Sequence, residues 1–199
     1  MPPTRAGSSC GPWKPARLQH MDIPPLLARR EIRSNRFFTL VEEDLPDKLG
    51  RPYTYHQLEA RFDAVIVVPV LDDGRLVLER IYRHPYKAWL TEFPAGGIDT
   101  GEDPVAAAAR ELQEETGYQA SRCTLLHQIE AMPGLLRMRL HVVLAEGLVA
   151  SNERHLDAME MLEVEVLTRE EAWGRARQAT ASMFLTLGLL ALERHRTQH

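Results

Sequence analysis

The chain has 199 residues, 44% of them hydrophobic and 26% charged, which fits one globular domain of mixed α and β elements, long enough to bury a core without staples. A formal net charge of -4, with no basic run longer than two residues, excludes an overall basic field for nucleic acid. Cys10 and Cys123 are the only cysteines, so neither a disulfide framework nor a CxxC zinc pair can be built, and the expectation is two thiols in a reducing, cytoplasmic setting.

Residues 1–20 hold Pro2, Pro3, Gly7, Gly11 and Pro15 but no apolar h-region. They read as a disordered tail, or as sequence upstream of a start at Met21, and not as a secretory signal. Order is expected from about Ile32. Phe37-Phe-Thr-Leu-Val-Glu42 has strand composition, Asp47-Lys-Leu-Gly50 is a turn, and Pro52-Tyr-Thr-Tyr-His56 returns. Residues 21–60 therefore form an N-terminal antiparallel hairpin or small sheet. Asp63-Ala-Val-Ile-Val-Val-Pro-Val70 is apolar almost throughout, as in a strand buried on both faces. After a turn at Leu71-Asp-Asp-Gly74, Arg75 to Tyr82 alternates like a half-buried strand. A loop from Arg83 to Lys87 and the segment Trp89 to Phe93 lead to Pro94-Ala-Gly-Gly97, which breaks regular structure.

The best-marked helix follows. Asp103 is placed to N-cap, Pro104 suits the first turn, and Gly117 suits a left-handed end. Leu125 to Ile129 and Leu140 to Ala145 read as strands joined through Met132-Pro133-Gly134, and Gly147 to about Leu156 as irregular. Leu162 to Leu167 alternates as a last strand. Thr168-Arg-Glu-Glu171 is a capping box opening a helix, and an apolar helix runs from about Ser182 to His195. No stretch reaches the ~18–20 apolar residues of a membrane span; Phe184 to Leu192 is a core helix.

Glu111, Glu114 and Glu115 sit at i, i+3 and i+4, so a regular helix puts all three carboxylates on one face. Like charges there repel by about 0.2–0.5 kcal/mol per pair, and Arg110 relieves part of this by reaching Glu114. Alone, such a cluster is a solvated acidic face. Its surroundings say otherwise: a glycine loop at Ala95-Gly-Gly97 and Glu102 precede it, at the spacing Gly96, five residues, Glu102, seven residues, Arg110-Glu-Leu-Gln-Glu-Glu-Thr-Gly117-Tyr118.

This pattern resembles the Nudix box, Gly-x5-Glu-x7-Arg-Glu-U-x-Glu-Glu-x-Gly-U, at every fixed position, with Tyr118 in the last apolar slot. The resemblance implies an α/β/α sandwich with a mixed sheet over residues 61–199. It also implies a hard-ligand site for Mg²⁺, or Mn²⁺, at a diphosphate. On that likeness Glu111, Glu115 and the carbonyl of Ala95 are metal ligands, and Glu114 is auxiliary. Arg110 orients the carboxylates, and Gly96, Glu102 and Gly117 frame the box.

The run Ile81-Tyr-Arg83, Glu92-Phe-Pro-Ala-Gly96 and Pro133, 15 residues after Tyr118, is similar to the ADP-ribose and nucleoside-diphosphate-sugar pyrophosphatase branch. That branch implies substrate contacts from Arg83, Glu92 and Pro133. It also implies a loop acid that binds metal or activates water, best matched by Glu160 with Glu153 and Asp157 as fallbacks, and a homodimer joined through the N-terminal strands. Met138 stands where an acidic residue is expected near a terminal ribose, and Arg137 and Arg139 beside it favour a more anionic substrate. Arg83 equally suits a strand-end arginine. His84, His127 and His141 form no triad or zinc pattern. Three alternatives stay open: a Nudix hydrolase of nucleoside triphosphates, dinucleoside polyphosphates or coenzyme A; a non-catalytic nucleotide-binding module; and an acidic face for a protein partner.

Overall fold

The computed structural model describes residues 23–151, 154–156, 161–178 and 180–198. The readings of residues 1–20, and of Glu153, Asp157 and Glu160, concern positions outside these. In chain order the strands are β1 (Ala28–Ser34), β2 (Phe38–Pro46), β3 (Pro52–Ala60), β4 (Ala64–Pro69), β5 (Leu76–Arg83), β6 (Ala88–Glu92) and β7 (Ala95–Gly97). Helix α1 (Pro104–Glu111) continues into a π-helical turn, Leu112–Thr116. After it come β8 (Tyr118–Met132), β9 (Leu136–Ala150), β10 (Leu162–Leu167), α2 (Arg169–Ala176) and α3 (Met183–Gln198).

The architecture follows from β4. Its side chains alternate between two faces and all are apolar, so both faces need cover. Ile66 and Val68 pack with Leu140, Val142 and Leu144 of β9 against Leu185, Leu189 and Leu192 of α3. Val65 and Val67 pack with Val143 and Ala145 against Ala107, Ala108 and Leu112 of the box helix. Each fully buried leucine of α3 contributes roughly 1.5–3 kcal/mol, an upper bound. Strands β4 and β9 run parallel, from Ala64 beside Leu140 to Pro69 beside Ala145. The result is an α/β/α sandwich. Among the described residues, a mixed sheet orders its strands β1-β2-β3-β9-β4-β7 with β8 on β9, and a smaller antiparallel sheet is ordered β10-β5-β6. No described helix is long and apolar enough to cross a membrane.

Several elements differ from the sequence reading for identifiable reasons. A strand, β1, begins at Ala28, ahead of the expected start; its residues are mostly exposed, so it shows no apolar period. It is held by its pairing with β2 and by Arg30 on Asp44, 2.6 and 2.8 Å. That pairing, with Thr54 adding a hydrogen bond, holds the Asp44 carboxyl down at about 2. The tie is therefore present above the ordinary aspartate range and is lost as pH falls through that value. The N-terminal hairpin also joins the main sheet, through Leu58 and Glu59 beside Leu136 and Arg137 of β9.

Strands β8 and β9 are 15 residues each, far longer than their apolar centres. Gly147, read as the start of an irregular stretch, lies inside β9. Its φ of 62° carries the strand past Ser121, whose Oγ would lie 2.0 Å from any Cβ there. Strand β5 is buried at four successive residues, Leu76 to Glu79, because it is the middle strand of its sheet. Ala95 to Gly97, read as a break, pairs with β4.

Gly188 fixes how closely α3 approaches the sheet: a Cβ there would lie 2.3 Å from Cδ2 of the fully buried Phe93 and 3.2 Å from Cγ2 of Val68. Although alanine favours helix, Gly188→Ala is expected to destabilise the protein by about 1–3 kcal/mol through overpacking, read as a lower melting temperature. An unchanged or higher value would contradict this packing.

Candidate active site

The box helix begins as its sequence requires. Asp103 accepts from Val105 N at 2.9 Å and Ala106 N at 3.3 Å, and Pro104 occupies the first turn. Ala107 and Ala108, fully buried, let the helix lie close on β4 and β9. From Leu112 the winding becomes π-helical, until Gly117 ends it at φ 75°. Such turns are rare and recur at functional sites. This changes the expected single acidic face: Glu111 and Glu115 turn inward, 9% and 3% exposed, whereas the Glu114 side chain stays at the rim, 37% exposed.

Arg110 organises the cluster more widely than the expected reach to Glu114. It donates to Glu102 Oε1 and Oε2 at 3.0 and 2.9 Å, to Glu111 Oε1 at 2.8 Å, to Glu114 Oε2 at 3.0 Å and to the Gly97 carbonyl at 2.9 Å. The planar fork of an arginine can serve these acceptors together, as a lysine cannot. The bond to Glu102 is the largest of the effects that raise Arg110's proton affinity. In return Arg110, helped by the Asp99 amide, holds the Glu102 carboxyl below its usual range.

The glycine loop meets this cluster edge-on. A Cβ on Gly96 would fall 2.1 Å from the Glu111 carboxyl carbon, so glycine is required to admit that carboxylate. The Ala95 amide donates to Glu115 Oε2 at 3.0 Å. Two inward carboxylates thus flank Ala95 and Gly96, and their hard oxygens suit a divalent cation such as Mg²⁺. Among the described residues no three His, Cys, Asp or Glu side chains converge as a ready ligand set. Mg²⁺ usually keeps several waters and substrate oxygens in its shell, so the two carboxylates and a backbone carbonyl fit that ion. The loop after β9 is stitched to the end of the box: Ser151 N and Oγ to the Gly117 carbonyl, Arg154 Nε to that of Glu115, and His155 N to that of Glu114. The candidate loop acids Glu153, Asp157 and Glu160 lie outside the described residues.

Arg83 and Glu92 come together. Nε and Nη2 of Arg83 bond Glu92 Oε2, a carboxylate 4% exposed. Burial works against the Arg83 charge, but the Glu92 hydrogen bond and the fields of Glu92, Glu115 and Glu79 outweigh it and raise its proton affinity. Pro133 is not brought to the box. It occupies the exposed turn of the β8–β9 hairpin, in a depression of about 290 Å³ with Tyr55, Gln57, Glu130 and Arg137 and no box residue; Tyr55 Oη donates to the Gly134 carbonyl at 2.6 Å. Arg137 and Arg139 are engaged too, Arg139 with Asp63 at 2.9 Å and Arg137 with Glu59 at 3.7 Å, which weakens the case that they select an anionic substrate. The sequence reading missed Glu79, 1% exposed in the middle of β5. The strand alternation, which puts Glu79 on the face of Val77 and Ile81, was the available signal.

Comparison with known proteins bears on the family and the fold. The NUDIX domain family model matches residues 60–184. The ADP-ribose pyrophosphatase of Bacillus subtilis (strain 168) is 35% identical over 147 residues, covering 73% of this chain and 79% of that protein. The ADP-sugar pyrophosphatase of Mus musculus is 35% identical over 133 residues, 59% of this chain and 61% of that protein. The ADP compounds hydrolase NudE of Escherichia coli (strain K12) is 32% identical over 126 residues, 63% and 67%. A crystal structure of an ADP compounds hydrolase superposes with TM-score 0.81 over 90% of this chain and 97% of that one; at 24% identity it shows the shared fold.

The contact at Gly96 gives a direct test. Gly96→Ala is expected to displace the Glu111 carboxylate and cut metal-dependent turnover by roughly 10²-fold, as a misplacement near 1 Å can, with the melting temperature close to wild type. Full activity in this variant would refute the close approach.

Proposed function

Because the chain belongs to the NUDIX family, we propose that it hydrolyses the pyrophosphate bond of a nucleoside diphosphate carrying a second group, of the ADP-ribose or nucleoside-diphosphate-sugar type. The observation that carries this reading is the pair of inward carboxylates, Glu111 and Glu115, packed against Ala95 and Gly96 with Arg110 beside them. The names of the relatives in Bacillus subtilis and Mus musculus support the substrate class.

Water adds to one phosphorus and the bridging P–O bond breaks, giving a nucleoside monophosphate and a phosphorylated second product. Glu111, Glu115 and the Ala95 carbonyl would hold Mg²⁺, or Mn²⁺, with Glu160 or its neighbours Glu153 and Asp157 completing the set. When bound, such an ion neutralises charge on the diphosphate and acidifies water. Arg110 keeps the box carboxylates in place. Among the described residues Arg83 Nη1 has no hydrogen-bond partner, so it is available to a phosphate oxygen while Glu92 anchors the rest of the guanidinium. Pro133 and the N-terminal strands would act across a homodimer. That reading is supported by β1, an outer strand of the main sheet, with Leu26 and Leu27 exposed just ahead of it and Ile32 exposed within it, an edge that invites a second copy.

The test is a parallel assay with Mg²⁺ of ADP-ribose, ADP- and GDP-sugars, dinucleoside polyphosphates, nucleoside triphosphates and coenzyme A, with products identified chromatographically. Turnover is expected on the nucleoside-diphosphate derivatives and is abolished by chelator. Glu115→Gln should lose at least about 10²-fold in kcat while remaining folded. Wild-type turnover by that variant on every diphosphate would sink the metal assignment, and exclusive cleavage of triphosphates or coenzyme A would replace the substrate class.

A further inference from the structure

Strand β5 sends Leu76 and Leu78 into the core beneath α3, so Val77, Glu79, Ile81 and Arg83 share the opposite face. In the strand register Glu79 sits directly across from Glu92 on β6 and from Val164 on β10. Glu79 is 1% exposed and Glu92 3%. Directly opposed side chains in an antiparallel pair have Cβ atoms about 4.5–5.5 Å apart. Two carboxylates are therefore buried side by side, one of them hydrogen-bonded to the only arginine on this face of β5.

The hydrogen bonds of the Arg83–Glu92 pair do not by themselves account for this arrangement. Glu92 already serves Nε and Nη2 of Arg83. A second carboxylate between Val77 and Ile81 carries a desolvation cost that an apolar side chain of similar volume would avoid. Removing Glu79 would leave the Arg83–Glu92 pair its own hydrogen bonds, so Glu79 is not needed to satisfy it.

We propose that Glu79 is a positioning residue of the diphosphate site: buried across from Glu92, it adds a second negative charge to the carboxylate that clamps the Arg83 guanidinium, so that Nη1 stays directed to a phosphate oxygen. The inference rests on the pyrophosphatase reading above. It has a counter-intuitive signature. Simple electrostatics says that deleting a buried negative charge beside an anion site tightens anion binding. A clamp says the reverse, because the arginine loses its orientation, and the loss falls on binding shared by ground and transition states.

The experiment compares Glu79→Gln, Glu79→Met, Arg83→Gln and the Glu79→Gln/Arg83→Gln double variant, using kinetics on the best diphosphate of the panel and thermal melts. Glu79→Gln is expected to raise KM roughly tenfold with a smaller change in kcat. Glu79→Met should show the same kinetic loss while melting at or above the wild-type temperature. In the Arg83→Gln background, Glu79→Gln should cost nothing further. A KM that falls or stays at the wild-type value, or a loss that adds in full to that of Arg83→Gln, overturns the clamp. Calorimetry with imidodiphosphate and Mg²⁺ separates this inference from the one beneath it. A wild type that binds this probe but cleaves nothing on the panel fails the pyrophosphatase reading alone. A Glu79→Gln variant that binds it as tightly as wild type fails the clamp alone.

Discussion

One guanidinium makes the acidic box tenable. Glu102, Glu111 and Glu114 all direct a carboxylate to Arg110, which also donates to the carbonyl of Gly97. Without that charge, these three carboxylates would repel and the loop ahead of the helix would lose its tie to it. With it, Glu111 is held inward beside Glu115, which the Ala95 amide anchors. The helix, the glycine loop and the strand beneath are in this sense built around one side chain.

The rest of the scaffold brings that helix to the sheet at a short distance. Alanines at 107 and 108 let α1 settle on Val65, Val67 and Val143, and the short strand β7 runs alongside β4 so that Ala95 and Gly96 face the helix's last turns. The change to π-helical winding then divides the glutamates between interior and rim. Glu114 lies at the rim yet shares Arg110 Nη1 with the buried Glu111.

The parts of this structure that were legible in the sequence are those specified by near neighbours. Asp103 and Pro104 announce the helix start, Thr168 and Glu171 their capping box, and the run from Asp63 to Val70 its two-faced burial. What was not legible depends on partners distant in the chain. Strand β1 is set by Asp44 and its neighbours on β2, and the outer arms of β8 and β9 by each other, with no apolar period to betray them. The box motif named Gly96 but not its reason, which is the Glu111 carboxylate 15 residues on. Glu79 was hidden because a lone glutamate in a strand normally points to water; only the cross-strand register places it beside Glu92.

The segment Glu92 to Ala95 joins two tasks on four consecutive residues. Glu92 anchors Arg83, Phe93 is buried against Gly188 and Val68, the Pro94 carbonyl accepts from Val67, and the Ala95 amide reaches Glu115. Such a stretch has no hinge of its own: the site can open only if the core around Phe93 opens with it. The Ala95 amide should therefore exchange its hydrogen at the pace of global unfolding, and not through a local fluctuation. For evolution the same linkage means that new substrates must be accommodated in the loops and the N-terminal strands, because this segment cannot drift without loosening the fold.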